Sequence, residues 1–347
     1  MQITIRSNSG DFTFQCGAEQ RLLYAGLTQG VRLPYECATG TCGTCRGRIV
    51  EGSTLVEWNE APGFARLKRA KGDVLMCQTR PLTDCVVRVP ANVALAASGL
   101  ALPTSQIGRI KQVRRLNGDV MDFAVQLACP LQFEAGQFVV LEVPDVEGGR
   151  AYSMVNFARS SEQVRLLVKR KPQGRFSDWL FAREIDGRQV RVFGPLGRAT
   201  FHPEEGRNIL CVAGGSGIAG MMSILERAAG EHYFRDHRGH VFFGVRTLAD
   251  LVYLQELSDH VVAAGGKLIV TLALSHENVH ASTHPQFPLL RLANGMVGEA
   301  MARAMHGHFD NLVSFVAGPT PMVEETLRLL IKDARQPALF VRYDKFD

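Results

Sequence analysis

The sequence predicts a multidomain protein in which two β-rich α+β domains precede an α/β domain. Three observations support this fold class. The chain has 347 residues, about two or three times the length of an ordinary domain. Residues 1–203 contain short strand-like segments separated by turn residues, which is typical of antiparallel sheets, whereas residues 204–347 alternate apolar strands with helices, which indicates a parallel sheet. The apolar fraction of 46% and the charged fraction of 21% exclude a largely disordered chain.

Charge and hydropathy argue against nucleic-acid and membrane partners. The 39 Lys and Arg exceed the 34 Asp and Glu by only five charges, too few to indicate nucleic-acid binding. Two uncharged stretches, residues 89–108 and 208–225, contain prolines or glycines that fit a linker and a strand–turn–helix better than a membrane span. The first residues show no basic segment followed by an apolar one, so we expect no secretory signal and a cytoplasmic protein.

Four of the eight cysteines have the spacing of an iron–sulfur site. A C-x4-C-x2-C run extends from Cys37 to Cys45, and Cys77 follows after thirty-one further residues. This is the plant-type [2Fe–2S] spacing, in which one loop supplies three thiolates and a distant residue supplies the fourth. Gly40 and Gly43 fall inside the loop, where tight curvature favours a residue without Cβ.

A structural zinc site is the alternative for these cysteines. Zinc sites usually pair two C-x2–4-C units, whereas this chain has one triple and one single cysteine. The spacing therefore favours an iron–sulfur cluster, with four predicted ligands: Cys37, Cys42, Cys45 and Cys77. The other four cysteines are predicted to be small buried apolar residues: Cys16, Cys85, Cys129 and Cys211.

The segments around the cysteine run predict a small β-rich domain. Residues 2–6 and 12–16 alternate like a hairpin, and residues 19–29 have helical spacing of leucines. Residues 49–50 and 86–89 indicate further strands. The flanks Pro34-Tyr35-Glu36-Cys37 and Leu75-Met76-Cys77-Gln78 resemble those of the plant-type ferredoxin domain in bacterial multicomponent oxygenase reductases. This resemblance implies a β-grasp-like ferredoxin domain over residues 1–93.

A run of basic residues precedes the last cluster cysteine: Arg66, Lys68, Arg69 and Lys71. Residues 1–93 contain eleven Lys and Arg and eight Asp and Glu, a balance of 11 − 8 = +3, whereas free plant ferredoxins are strongly acidic as a family. The run is consistent with a docking face for an acidic partner or with a solvated helix face.

The middle of the chain is predicted to be antiparallel. Residues 94–106 are uncharged and rich in small residues, so we predict a linker there and a second domain over residues 107–203. Asn117-Gly118 is typical of a hairpin turn, and residues 138–143 form an apolar strand that ends before Pro144.

Two segments of this middle domain resemble the flavin-binding signature of the ferredoxin–NADP reductase superfamily: Arg150-Ala151-Tyr152-Ser153 and Gly174-Arg175-Phe176-Ser177. The resemblance implies an antiparallel β-barrel that binds FAD, since FAD is the flavin of relatives with an N-terminal ferredoxin domain. The residue types suit the task. Arginine can bind a diphosphate, tyrosine can lie against the isoalloxazine, and a serine hydroxyl can hydrogen-bond near N5.

A helix is predicted over residues 177–181, directly after Gly174 and its neighbours. The predicted flavin contacts are Arg150, Tyr152, Ser153, Lys169, Gly174, Phe176 and Ser177. The alternative is that Arg150 is an exposed strand residue and Tyr152 a half-buried one.

The last part, residues 204–347, predicts an α/β nucleotide-binding domain. An apolar strand over residues 209–213 leads into a glycine-rich turn and a helix over residues 221–229, the context of a phosphate-binding loop. In the ferredoxin–NADP reductase superfamily, which this segment also resembles, the loop usually ends in Ala-Pro. Here Gly220 stands in the place of the proline.

Residues 241–246 predict a second strand, followed by a helix containing Asp250, Leu251 and Tyr253. The segment from Phe315 to Met322 resembles the Cys-Gly-Pro-x-x-Met signature that faces the nicotinamide, with Ala317 in place of the cysteine. The predicted coenzyme contacts are Gly214, Gly215, Ser216, Gly217, Gly244, Arg246, Gly318, Pro319 and Met322. Phe346 is either an aromatic lying against the flavin or an ordinary edge-strand residue. The predicted catalytic residues are Ser153 and Phe346.

The ribose end of the coenzyme site favours NADH over NADPH. NADPH relatives carry an arginine after the serine of a strand end, whereas here Ser275-His276-Glu277 places a carboxylate that would repel a 2′-phosphate. Arg246 argues the other way, since a nearby arginine can accommodate that phosphate. The histidines 276, 280 and 284 are spaced four apart, but the loop-like composition around them argues against a metal site.

The resemblance covers nearly the whole chain and implies an NADH-dependent oxidoreductase of a multicomponent oxygenase. Hydride from NADH would reach FAD, and single electrons would pass through the [2Fe–2S] cluster to a terminal oxygenase or a small ferredoxin. The oxygenase would be a diiron monooxygenase or a Rieske dioxygenase. The alternatives are a reductase for a sugar-deoxygenating dehydratase, an iron–sulfur redox sensor, and a flavin reductase that releases its product.

Overall fold

The computed structural model describes residues 1–182 and 184–346. They form two compact units. The first comprises residues 1–109, 139–152 and 188–196, and the second contains the described residues among 110–138, 153–187 and 197–346. No helix within the described residues combines the length and the apolar character that crossing a membrane requires.

The first part of the chain forms the predicted small β-rich domain. Its elements are β1 (Gln2–Ser7), β2 (Gly10–Gln15), α1 (Leu22–Thr28), β3 (Arg46–Glu51), β4 (Thr54–Val56), β5 (Asp73–Leu75), β6 (Thr79–Pro81) and β7 (Cys85–Arg88). Five strands lie in the order β2-β1-β7-β3-β5, in which only β1 and β7 are parallel. The predicted hairpin is confirmed, with Ile3 opposite Phe14.

The helix predicted over residues 19–29 is shorter than expected. It begins at Leu22 because the preceding residues form a turn in which the Gln20 amide donates to the Gly17 carbonyl at 3.0 Å. It ends before Gly30, whose φ of +80° lies in the left-handed region. Leu22, Leu23 and Leu27 are buried, as the leucine spacing predicts.

The middle of the chain is antiparallel, as predicted. Its elements are β8 (Thr104–Arg115), β9 (Val120–Leu131), β10 (Phe138–Glu142), β11 (Arg150–Ser153), β12 (Ser161–Lys169), α2 (Arg175–Phe181) and β13 (Gln189–Leu196). In the first unit β8 pairs with β13, and in the second unit β9 pairs with β12. Asn117 and Gly118 lie between β8 and β9, at the predicted turn.

The stretch predicted as a linker, residues 94–106, meets regular structure at both ends, and one helix start in this region needs correction. Leu95 forms an antiparallel bridge with Val31, and β8 begins at Thr104. The helix predicted from Ser177 begins two residues earlier, at Arg175, after Gly174.

The last part forms the predicted parallel sheet with helices. Its elements are β14 (Asn208–Gly214), α3 (Ile218–Gly230), β15 (Gly239–Val245), α4 (Leu254–Ala263), β16 (Leu268–Leu274), β17 (Leu290–Asn294), α5 (Val297–Met305), β18 (Leu312–Pro319), α6 (Thr320–Leu327) and β19 (Val341–Phe346). The strand order is β17-β16-β15-β14-β18-β19, and every pair is parallel. Residues 209–213 of the central strand are fully buried, as a sheet covered on both faces requires.

The prediction of a helix that contains Asp250 and Tyr253 is wrong, because both residues precede the helix. Asp250 ends a short 3₁₀ turn, in which its carboxylate accepts hydrogen bonds from the amide and the hydroxyl of Thr247, both at 3.0 Å. Tyr253 has a left-handed φ of +60° and precedes α4. This capping box closes the start of a separate 3₁₀ turn, and the left-handed Tyr253 lies between that turn and the helix that begins at Leu254.

Three of the four cysteines outside the predicted cluster are buried, as expected: Cys16, Cys85 and Cys211. The prediction for Cys129 is wrong. Its side chain is exposed because it lies in the last part of β9, where residues 128–130 all face solvent.

Candidate redox centre and cofactor sites

The four predicted cluster cysteines form two pairs in the structure. Cys37 Sγ lies 3.2 Å from Cys42 Sγ, and Cys45 Sγ lies 3.2 Å from Cys77 Sγ. None of them is in a disulfide. Two thiolate pairs are what a two-iron cluster needs, since each iron takes two cysteine ligands. No three metal-binding side chains of the described residues surround a single ion position. The residues present therefore fit the [2Fe–2S] group.

Local backbone geometry explains why the loop folds around its own sulfur atoms. Gly40 and Gly43 have φ of +92° and +83°, which side chains rarely adopt. The turns that they permit direct backbone amides at sulfur. The amides of Thr39 and Cys42 lie 3.4 Å from Cys37 Sγ. Amides that point at cluster sulfur stabilise negative charge and influence the reduction potential.

The two pairs differ in their environment. Cys37 and Cys42 are half-buried, whereas Cys45 and Cys77 are buried. The pKa of Cys37 is lowered, chiefly by a hydrogen bond from the Cys42 thiol and further by contacts with Thr41 and Thr39. Burial raises the pKa of Cys77, so its thiolate needs a cation beside it. The exposed edge of the loop is therefore on the side of Cys37 and Cys42.

A tyrosine that the sequence did not single out supports this loop. The Tyr24 hydroxyl donates to the Ala38 carbonyl at 3.0 Å. Its ring stacks on Phe193 of β13, with centroids 3.9 Å apart and planes 10° apart. Arg21, one turn earlier, forms ion pairs with Glu57 and with Glu142 of β10. No local motif marks these residues, because their partners lie 14 to 169 positions away in the sequence.

Arg150, the predicted diphosphate ligand, is held by its neighbours in the first unit. Its guanidinium donates to the carbonyls of Gly148 and Gly149 at 3.2 and 2.9 Å. It also lies over the indole of Trp58, 4.9 Å from the ring centroid. Burial lowers the pKa of Arg150. Burial raises the pKa of Tyr152, two residues along β11. Trp58 is a second contact that sequence reasoning missed.

The other predicted flavin residues lie in the second unit. Ser153 is buried, and a Cβ at Gly220 would lie 3.6 Å from the Ser153 Cβ. The glycine that replaces the family proline therefore lies beside the predicted N5 contact. The Ser177 hydroxyl donates to the Lys171 and Gly174 carbonyls at 3.1 and 3.0 Å. Phe176 is buried, and Lys169 Nζ lies 3.4 Å from an Asp119 carboxylate oxygen.

The two predicted coenzyme segments come together because β14 and β18 are neighbours in the sheet, with Ala213 opposite Ala317. A Cβ at Gly217 would lie 2.2 Å from the Ala317 carbonyl, and one at Gly214 would lie 2.9 Å from Met322 Cε. Gly215 has a left-handed φ of +53°. Glycine is thus required where the two backbones approach each other. Ser216 lies in the turn that follows β14, and Gly318 and Pro319 are the last two residues of β18.

The predicted ribose-end residues lie at the carboxyl ends of β15 and β16. The exposed Arg246 accepts, through its carbonyl, a hydrogen bond from the His276 amide at 2.9 Å. Glu277 Oε2 accepts one from the Leu248 amide at 2.7 Å. Gly244 lies against α5, where a Cβ would be 2.7 Å from Val297 Cβ. Close packing against this helix therefore explains why the position is a glycine.

The C-terminal aromatic lies beside the nicotinamide segment. Phe346 is opposite Pro319 in the parallel pair of β18 and β19 and is half-buried. The histidines 276, 280 and 284 do not share a helix. The first two are exposed in a loop, and His284 is buried with its ring centroid 5.4 Å from that of Phe287.

Comparison with known proteins identifies the family. A 2Fe-2S iron-sulfur cluster binding domain matches residues 5–82, an oxidoreductase FAD-binding domain matches residues 108–201, and an oxidoreductase NAD-binding domain matches residues 211–328. The ferredoxin–NAD(+) reductase component of the alkene monooxygenase system of Xanthobacter autotrophicus is 34% identical over 343 residues, covering 99% of this chain and 100% of that protein. The chain belongs to this family of reductase components.

Other members and solved structures agree with this assignment. The ferredoxin–NAD(P)(+) reductase CarAd of Metapseudomonas resinovorans is 32% identical over 91% of this chain and 92% of that protein. The structure of the ferredoxin reductase in carbazole 1,9a-dioxygenase superposes with a TM-score of 0.83, at 28% identity over 100% of this chain and 99% of that chain. Amycolatopsis GcoB, titled a cytochrome P450 reductase, has a TM-score of 0.79, at 28% identity over 99% of this chain and 98% of that chain.

This membership confirms four sequence predictions. The chain has a ferredoxin domain, an antiparallel FAD-binding domain and a parallel-sheet NAD-binding domain. It is an oxidoreductase whose cofactors are a [2Fe–2S] cluster, FAD and a nicotinamide coenzyme. It is an electron-transfer reductase component of an oxygenase system.

Proposed function

We propose that this reductase takes hydride from NADH and delivers electrons one at a time, through Cys37, Cys42, Cys45 and Cys77 and the cluster that they hold, to a terminal oxygenase or a small ferredoxin. The observation that carries the proposal is the pairing of these four sulfurs in a loop with an exposed edge. Bound FAD converts the two-electron chemistry of a nicotinamide into the one-electron chemistry of an iron–sulfur cluster.

The chain's own residues bind and orient the cofactors. The Arg150 guanidinium would bind the FAD diphosphate, the Tyr152 ring would support the flavin, and the Ser153 hydroxyl would hydrogen-bond near N5. Gly174, Phe176, Ser177 and Lys169 complete this site. Three features support these roles: Arg150 is held rigidly, Ser153 is buried, and Gly220 leaves the space beside Ser153 open. Positioning of the reacting groups is the main contribution of such a site.

The turn that follows β14 and the end of β18 would together hold the coenzyme. Backbone amides of Gly214, Gly215, Ser216 and Gly217 contact its phosphates, as the start of a long buried helix favours. The segment Gly318, Pro319 and Met322 lies against the nicotinamide. Phe346 borders the same segment, since it is paired with Pro319. Ala317 replaces a cysteine without loss of a needed proton donor, because hydride transfer moves no separate proton in its key step.

The coenzyme is NADH rather than NADPH. Glu277 is fixed at the end of β16 by its hydrogen bond from Leu248, so a ribose 2′-phosphate there would meet a carboxylate. Arg246 at the end of β15 then contacts the adenosine end beside Gly244.

The acceptor is a monooxygenase or dioxygenase component. The relatives in this family serve both kinds, including an alkene monooxygenase system and a toluate 1,2-dioxygenase. We place the protein in the cytoplasm, since none of the eight cysteines is in a disulfide and four of them are the proposed cluster ligands.

An anaerobic titration of the purified protein with NADH, and separately with NADPH, tests the proposal. Bleaching of flavin and iron–sulfur absorption bands together by NADH supports it. Flavin bleaching without any cluster signal contradicts the cysteine assignment. Equal bleaching by NADPH at the same concentration contradicts the role of Glu277. An iron–sulfur redox sensor is excluded by sustained NADH-driven turnover with an added acceptor.

A further inference from the structure

Four basic side chains follow the cluster-binding loop in the chain, three of them in two short 3₁₀ turns, Pro62–Arg66 and Arg69–Lys71, and Lys68 between the turns. We call them the basic segment: Arg66, Lys68, Arg69 and Lys71. All four are exposed. Their exposure agrees with both interpretations of the run, a solvated helical face and a docking face. Its position relative to the cluster loop decides what it does.

The basic segment is anchored directly to the cluster loop. The Gly63 amide donates to the Gly40 carbonyl at 2.8 Å, and a Cβ at Gly63 would lie 2.8 Å from that oxygen. Arg66 Nη1 donates to the carbonyl of Cys42 at 3.0 Å. The charge of Arg66 is therefore held next to Cys42, one of the more exposed pair of cluster ligands, and the other three follow within five residues of chain.

The charges of the basic segment are not used inside the protein. Elsewhere in the ferredoxin domain arginines pair with carboxylates, as Arg48 does with Asp73 at 2.7 Å and Arg80 with Glu57 at 2.9 Å. Within the described residues, no carboxylate oxygen lies within 4.0 Å of a charged nitrogen of the basic segment, although the Lys68 backbone amide donates to Asp73 Oδ2 at 3.2 Å. Arg69 instead bonds the neutral Asn59 side chain at 2.9 Å and covers the ring of Phe64. The segment thus presents uncompensated positive charge to solvent.

Electrons leave a cluster most readily where its ligands are nearest to the surface, which here is the edge formed by Cys37 and Cys42. We infer that the basic segment is a docking surface for an acidic protein, the face around the redox centre of the electron acceptor. Complementary charge steers encounter and orients the partner at this edge. The net charge of +3 for residues 1–93 acts in the same direction. This inference rests on the proposed function, because only a cluster that delivers electrons needs such a surface.

The test compares two haem proteins of opposite charge as acceptors for the holoenzyme, acidic cytochrome b5 and basic cytochrome c. NADH-driven reduction is measured at about 10 mM salt, where the Debye length is about 30 Å, and at about 1 M salt, where it is about 3 Å. The test variant is Lys68→Glu with Lys71→Glu, which leaves the Arg66 bond to the cluster loop intact. The matched control is Lys332→Glu with Arg335→Glu, an equal charge change at exposed sites in the NAD-binding part.

The expected result is that the test variant reduces cytochrome b5 about tenfold more slowly than the wild type at low salt, and equally at high salt. The control variant stays within about twofold of the wild type. An unchanged rate in the test variant, or an equal loss in both variants, overturns the docking surface. Ferricyanide reduction by the wild type, with neither haem protein reduced, instead overturns the proposed exit through the cluster.

Discussion

The indole of Trp58 lies under the guanidinium of Arg150, 4.9 Å from ring centroid to guanidinium carbon. Trp58 belongs to the ferredoxin part of the chain, and Arg150 begins the flavin-signature strand β11. The indole also packs on Gly148, where a Cβ would lie 2.5 Å from Trp58 Cε3. The same two regions are joined by the stack of Tyr24 on Phe193. The arginine proposed to bind FAD is therefore positioned by a residue of the ferredoxin domain.

Trp58→Ala is expected to weaken FAD binding by about 3- to 30-fold, because a cation–π contact of this kind contributes about 0.5–2 kcal/mol. The Kd of the apoprotein for FAD, followed by flavin fluorescence, measures the effect. Trp58→Phe, which keeps an aromatic face, should recover most of the affinity. An unchanged Kd in Trp58→Ala would show that Arg150 is positioned by its other contacts.

Tyr24→Phe is expected to lower the free energy of unfolding by about 1–3 kcal/mol, since it keeps the ring but removes two hydrogen bonds, one donated to the Ala38 carbonyl and one accepted from Arg21 Nη1. Tyr24→Ala also removes the stack on Phe193 and should cost several times more. Thermal denaturation and the rate of bleaching of the cluster absorption in air measure the two effects. If both variants lose the cluster as slowly as the wild type, the tyrosine does not support the loop.

Cys42→Ser is expected to abolish cytochrome c reduction while ferricyanide reduction stays within about twofold of the wild type. The substitution breaks one of the two sulfur pairs, and ferricyanide accepts electrons from the flavin without the cluster. Cys129→Ser is the matched control, because Cys129 is exposed and outside the loop. Retained cytochrome c reduction in Cys42→Ser would contradict an exit through the cluster.

Glu277→Gln is expected to raise kcat/KM for NADPH by about tenfold and to leave that for NADH within about twofold. Removal of one negative charge a few ångströms from a 2′-phosphate changes the interaction by a kcal/mol or more. Steady-state kinetics with both coenzymes measure the change. Glu162→Gln, an equal charge change at an exposed position of β12, serves as the control. Equal gains in both variants would assign the effect to overall charge.

The stability of the second unit is expected to decrease as the pH falls from about 7 to about 5.5. Burial lowers the pKa of His240 on β15 and of His260 on α4, and Arg291 and Arg238 lower that of His240 further. Because the unfolded chain binds protons at these histidines more readily than the folded chain, the stabilisation is complete above the unfolded pKa of about 6.5 and is lost below it. Melting temperature against pH measures this, and His240→Asn should flatten the dependence. A flat wild-type profile would contradict it.

The sequence alone predicted the features that depend on short spacings. The C-x4-C-x2-C run needs only a few neighbouring residues to wrap a cluster, and Gly40 and Gly43 show the required left-handed backbone. The alternation of buried strands and helices after residue 204 likewise specifies a parallel sheet. Element starts were less predictable. The helix predicted around Asp250 begins only at Leu254, because Asp250 belongs to a separately capped 3₁₀ turn and the left-handed Tyr253 lies between the two.

Only the tertiary structure decided which distant residues support each site. Nothing in the sequence near Trp58 or Tyr24 indicates Arg150 or Phe193 as a partner, and the exposure of Cys129 depends on which part of β9 is covered. The contact of Arg66, in the basic segment, with Cys42 was likewise decided only by the tertiary structure. A short motif is specified by residues that are neighbours in the sequence. These contacts instead arise from packing between elements far apart in the chain, where many pairings are compatible with the same local pattern.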